Sequence, residues 1–232
     1  MTGMLASVNS VEEALMVLHA QVDIIDLKQP EHGALGALDT ETVQQIVQVI
    51  DRRCPISATI GDLPAQPELV FFATTVMATT GVDYIKIGFF PGGDWLATIQ
   101  RLAPLAAQQN LIAVLFADTK PDFGVINVLK MAGFKGVMLD TMNKGKGSLT
   151  KVMTANEICQ FVMLAKKHKL LCGLAGSLRR GDVPELLNLK PDYLGFRGAL
   201  CQASDRTAPL NPTAINAIKQ VMKSRRKNRA RN

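Results

Sequence analysis

An alternation limits most strongly what this chain can fold into. Short apolar runs and longer amphipathic ones follow one another eight times, with no low-complexity linker between them. The short runs are 4–8, 22–28, 55–62, 83–88, 111–118, 136–140, 170–177 and 193–201. They are rich in Val, Ile and Leu and have the length of strands rather than helices. A capped helical stripe runs over 10–18, further helices are predicted over 39–51, 68–80, 94–109, 122–132, 154–169, 183–189 and 212–223, and residues 141–152 read as a polar loop. Val43, Ile46, Val47 and Ile50 form a typical helical stripe. Ser10-Val11-Glu12-Glu13 and Thr154-Ala155-Asn156-Glu157 read as capping boxes, and Gly81 and Gly133 as helix stops. Eight βα units without a break predict a single-domain (β/α)8 TIM barrel over residues 1–222. A doubly wound open sheet is the alternative, but no G-x-G-x-x-G follows the first strand.

The pattern within the strands carries the chemistry. Residues two apart on a strand share a face, so Ile24, Asp26 and Lys28 point one way while Ile25 and Leu27 point the other. Alone, such an Asp-x-Lys reads as a structural ion pair. The same parity recurs, however. Lys86 lies on the face of Tyr84, Asp118 on that of Phe116 and Asp140 on that of Met138, while the opposite faces are apolar. Asp62 ends the third strand, and Asp23 is the one charge on the wrong face. The simplest arrangement turns the charged set into the barrel, where two lysines and several aspartates converge at the C-terminal mouth.

The loops after strands seven and eight are Gly173-Leu174-Ala175-Gly176-Ser177 and Gly195-Phe196-Arg197-Gly198-Ala199. Backbone N–H groups at these positions of a barrel cradle phosphate. Gly176, Ser177, Arg197, Gly198 and Ala199 are therefore the expected phosphate site, with Arg179, Arg180 and Arg206 nearby. A lysine in a dry pocket beside a second ammonium can attack a carbonyl. Lys28, Lys86 and Lys144 are the candidates, with Asp26 and Asp140 to move protons. The residues alone point to a lysine-dependent aldolase or lyase acting on a sugar phosphate.

At these residues the chain resembles the (5-formylfuran-3-yl)methyl phosphate synthases of methanofuran biosynthesis, also called 4-(hydroxymethyl)-2-furaldehyde-phosphate synthases. Asp23 to Lys28 with Gly33 to Ala37, Asp83 to Gly88, Asp140-Thr141-x-x-Lys144, Gly173 to Leu178 and Arg197 to Cys201 carry the resemblance in that order. It covers the barrel to about residue 210 and leaves the basic tail outside. The resemblance implies condensation of two glyceraldehyde 3-phosphate molecules into a phosphorylated furan aldehyde, with loss of phosphate and water. It implies Lys28 as the Schiff-base residue, Asp26 as its paired proton carrier, Asp140 and Lys144 as catalytic, and Lys86 as binding or activating substrate. It implies no metal or organic cofactor.

Composition excludes several other classes. No apolar run approaches the ~20 residues that span a bilayer. The N-terminus lacks a basic stretch before its apolar strand, so no secretory leader is expected and a cytoplasmic location is. Cys54, Cys159, Cys172 and Cys201 form no C-x-x-C and read as free thiols. Six of the 26 basic residues stand in the last ten positions, and the other 20 are matched by 20 acids. The tail, 223–232, therefore reads as a solvated, disordered end. With 5% aromatic residues the chain lacks the stacking surface of a nucleic-acid binder. Self-association through the helices stays open.

Overall fold

In a computed structural model, which describes residues 2–229, the alternation closes into a barrel. Strands β1 (Gly3–Val8), β2 (Ile24–Leu27), β3 (Ile56–Thr59), β4 (Tyr84–Phe89), β5 (Leu111–Phe116), β6 (Gly136–Asp140), β7 (Leu171–Leu174) and β8 (Tyr193–Phe196) pair in order, all parallel, and β8 pairs with β1. Around them run α1 (Val11–His19), α2 (Thr40–Ile50), α3 (Pro67–Ala78), α4 (Trp95–Ala106), α5 (Val125–Met131), α6 (Leu149–Val152), α7 (Ala155–Lys167), α8 (Val183–Asn188) and α9 (Pro212–Arg229).

The helix signals act as read, with one exception. Thr154 and Glu157 form the reciprocal capping box of α7. Ser10 caps α1, but Glu13 does not return to Ser10. Its carboxylate accepts from Asn9 N and Leu210 N and pairs with Arg197, because a buried arginine competes for it. The eighth strand ends at Phe196 rather than residue 201, since Gly198–Leu200 turns into a short 3-10 helix. The polar loop at 141–152 contains α6 and a further 3-10 turn, Lys144–Lys146. The last helix continues past Lys223 to Arg229, and the rest of the expected tail, 230–232, lies outside the described residues.

Strand parity separates two cores. Ile25, Leu27, Ile85, Ile87, Val137 and Leu139 face outward and pack under the helices. Val114, Phe116, Met138 and Ala175 fill the lumen together with Ala34 and Leu35 from the loop after β2. Register then fixes polar neighbours: Ser7 on β1 lies beside Asp26, and Asp26 lies beside Ser57 on β3. At the N-terminal end, Asp23 accepts from Met4 N, Asp83 from Ile56 N and Asp192 from Cys172 N, each at 2.7 Å. Asp23 is therefore a strand cap, which explains its opposite face.

Candidate active site

β2 supplies Asp26 and Lys28, β4 supplies Lys86, and β6 ends in Asp140 with Lys144 four residues on. All five line one cavity of about 280 Å³ at the C-terminal mouth. The five sequence-predicted groups thus meet. Their pairing differs from the expected one. Asp26 does not pair with Lys28. Its Oδ1 accepts from Lys86 Nζ at 2.7 Å and from Ser57 Oγ at 2.6 Å, and its Oδ2 from Ser7 Oγ at 2.7 Å. Lys28 instead reaches across the barrel to Asp140 Oδ2 at 3.4 Å. Asp140 Oδ1 accepts from Lys144 Nζ at 2.6 Å and from Thr141 N at 2.7 Å. The reason is geometric: side chains two apart on a strand are about 7 Å apart, whereas long lysines converge across a lumen.

Burial decides the charge states. Asp26 and Lys86 are 0% and 3% exposed. Below the Lys86 stem lies a small gap of about 30 Å³, walled by Ile24, Ile112 and Met138. Burial therefore pulls the Lys86 ammonium below its usual range, Asp26 resists, and Lys28 adds to the fall. Burial also lowers Lys144, to about 8, against the pull of Asp140 and with help from Lys28. Desolvation alone would raise the Asp140 carboxyl, but Lys144 and Lys28 outweigh it and hold it well below the carboxylate range. Such a cluster has no stabilising rationale, because two charges removed from water barely recover their hydration.

The other charged strand ends have different work. Asp62 accepts from Ala34 N and Leu35 N and so ties down the loop after β2. Asp118 accepts from Met142 N and Asn143 N and holds the loop that carries Lys144. Both support the site without entering the cluster. Arg197 is corrected as well. Its guanidinium pairs with Glu13 and donates to Ser7 O, Arg206 O and Ala208 O, so its side chain is spent inside the fold rather than open to a phosphate. Arg180 is exposed and does not line the cavity.

The loops expected to cradle a phosphate leave backbone N–H groups open. Among the described residues, no acceptor takes the N–H of Gly176, Ser177, Gly198 or Ala199. Gly176 has φ +105°, and a Cβ there would meet Thr141 N at 2.9 Å, so glycine is required. Ser177 is itself left-handed at φ 47°, a strain that turns its N–H out of the ladder. Ser7 and Ser57 are the functional neighbours that sequence reasoning missed. Only the register shows them flanking Asp26. Among the described residues, no three His, Cys, Asp or Glu side chains are grouped as a metal site requires. Among the described residues, no helix is long and apolar enough to cross a membrane.

Residues 4–219 match the family model described as 4-HFC-P synthase. A Methanosarcina acetivorans protein named (5-formylfuran-3-yl)methyl phosphate synthase is 32% identical over 209 residues, covering 85% of this chain and 89% of that protein. A Methylorubrum extorquens protein, given the same name provisionally, is 44% identical over 223 residues, covering 95% and 92%. Among solved structures, a 3-keto-L-gulonate-6-phosphate decarboxylase from Vibrio cholerae aligns with TM-score 0.68 at 10% identity, covering 96% of this chain and 98% of that one. A 3-hexulose-6-phosphate synthase aligns with TM-score 0.63 at 15% identity, covering 95% and 100%. At such identities the likeness shows the barrel alone.

Proposed function

The chain belongs to the 4-HFC-P synthase family, and on that premise we propose that it is a (5-formylfuran-3-yl)methyl phosphate synthase. It condenses two glyceraldehyde 3-phosphate molecules through a lysine imine, with loss of phosphate and water, and its product supplies the furan of a methanofuran-type cofactor. One observation carries the lysine chemistry: Lys28 and Lys144 share the single carboxylate of Asp140 in the cavity at the barrel mouth, beside the buried Asp26–Lys86 pair.

The geometry supports distinct roles. Lys28 has the longest carboxylate contact of the three lysines, 3.4 Å against 2.7 and 2.6 Å, so its amine is the least tied. Lys28 is therefore the nucleophile. Its Nζ adds to the carbonyl of one triose phosphate, and water leaves to give the iminium. Asp140 stays ionised and faces that new cation. Lys144, with a pKa near 8, exchanges protons close to neutrality far better than a carboxyl held below the usual range. It carries the proton during dehydration and enamine formation. Phosphate leaves from the lysine-bound triose at this stage, and the terminal carbon so activated attacks the ketone carbon of the second triose after that triose has isomerised from aldehyde to ketone. Ring closure through the acceptor's free hydroxyl, loss of two waters and hydrolysis of the imine then give the aromatic formylfuran and free Lys28. Asp26, fixed by three donors, opposes the fall that burial imposes on Lys86, and Lys86 lines the cavity as a donor to the substrate oxygens.

The test is incubation with glyceraldehyde 3-phosphate alone. The expected result is a growing ultraviolet absorbance of a conjugated furan aldehyde, with a borohydride-trapped adduct on Lys28. An adduct without the chromophore replaces the synthase with a simple class I aldolase of triose phosphates.

A further inference from the structure

Three arginines line the mouth, and they are not equivalent. Arg197 spends its guanidinium on Glu13 and three carbonyls. Arg179 lies at the cradle side, where it donates to Ser204 O and its Nη1 stands 3.6 Å from where a Cβ on Gly198 would be. Arg206 differs from both. It lines the cavity half-buried, and one hydrogen bond, Nη2 to Gly33 O at 2.9 Å, latches it to the loop after β2. Among the described residues no carboxylate lies within ion-pair distance of it. A guanidinium has five N–H donors in a planar fork suited to a phosphate, and four of these remain unspent.

Charge points the same way. The lumen-facing cations outnumber the acids available to them. Lys86 is balanced by Asp26, Arg197 by Glu13, and Asp140 is shared between Lys28 and Lys144. Asp205, also on the wall, is engaged by Thr207. One lysine of the Lys28–Lys144 pair, Arg206 and, at the exposed rim, Arg179 therefore remain uncompensated around the mouth. These three positive charges exceed what one dianionic phosphate neutralises, and one is all that the backbone cradle at β7 and β8 accounts for.

We infer that the Arg206 guanidinium forms a second phosphate subsite, on the β2 side of the β7/β8 cradle, which holds the phosphorylated acceptor against the lysine-bound triose. The inference rests on the two-triose reading above. The Arg206 Cβ stands beside Gly198 of the cradle, 3.7 Å from where a Cβ there would be, and the latch carries the guanidinium from there to the loop after β2, where its charge is felt by both Asp140 and Lys144. The latch also fixes the fork, so little side-chain freedom is lost when phosphate arrives. Arg206 is thus a binding residue for the second substrate, and it is not needed for the first.

The experiment titrates glyceraldehyde 3-phosphate with two readouts, the mass of the borohydride-trapped adduct and the furan absorbance. In Arg206→Gln the concentration for half-maximal trapping stays within about twofold of wild type. The concentration for half-maximal furan formation rises about tenfold or more, the size of a lost charge-assisted fork. Arg206→Lys, which keeps the charge and loses the fork, recovers part of that shift. A parallel rise in both readouts, as a mere loosening of the latch would give, overturns the proposal, and so does no change in either. A wild-type protein that gives neither adduct nor furan refutes the reaction instead. Inorganic phosphate then decides the subsite by phosphorus-31 line broadening. Two binding steps in wild type and one in Arg206→Gln support it, and equal numbers in both overturn it.

Discussion

At the N-terminal end of the barrel, Asp23, Asp83 and Asp192 each accept a backbone N–H from the preceding strand. At the C-terminal end, Asp26 and Asp140 accept ammonium groups from lysines on other strands. The first set stands at the solvent edge and satisfies donors that strand starts leave open. The second set is buried, and every contact it makes carries a desolvation cost. The same carboxylate thus stabilises at one end and is merely tolerated at the other. The difference teaches which end selection of chemistry has worked on: the one where the fold loses stability by keeping its charges.

Substitutions that break this contrast are ordered by size. Lys28→Met should abolish the trapped adduct and lower furan formation by at least about 10³-fold. Its thermal midpoint should stay within about 5 °C of wild type, because the fold gains little from that ammonium. Lys86→Met leaves Asp26 buried without its cation and should cost on the order of 3–5 kcal/mol in urea unfolding. Adding Asp26→Asn should recover most of that loss while activity stays low, which separates the stability of the pair from its use.

The effect of pH is smaller. Lys144, at about 8 in the fold and 10.5 ordinarily, loses its proton earlier in the folded chain. Activity that needs its free amine should rise about tenfold between pH 7 and 9, and Lys144→Met should flatten the profile. Over the window from about 8 to 10.5 the unfolded chain binds more protons at this group, so its contribution to stability rises with pH. Chemical denaturation across that window checks the sign. Smallest is Asp83→Ala, which frees Ile56 N at a partly hydrated edge. It should cost about 1 kcal/mol and leave turnover per folded molecule unchanged.

The barrel was legible because period and length survive in sequence: eight short apolar runs and their parity suffice to place Asp26, Lys28, Lys86 and Asp140 in one lumen. Partners were not legible. Spacing on a strand says which face a side chain takes, not which strand a lysine reaches, so Asp26 and Lys28 looked paired and are not. Ser7 and Ser57 carry no signal of their own; only register brings their hydroxyls onto Asp26. Asp62 and Asp118 end strands just as Asp140 does, and the loop amides that engage them come from distant segments. Arg197 and Arg206 differ only in what the fold puts beside them.

The caps at the closed end also bear on how the chain finds its shape. Asp23, Asp83 and Asp192 each return their own N–H to the carbonyl of the residue they cap, so each ties two consecutive strands by a reciprocal pair of bonds. The residues joined are 19, 27 and 20 positions apart. Closing loops of that length costs little entropy, and such local contacts form early in folding. β5 and β6 have Lys135 in the equivalent place, which gives its N–H to Leu111 O but has no acceptor to return. Three strand pairs of the barrel are thus self-tied at their starts, and the fourth, β5 with β6, is held there by a single bond.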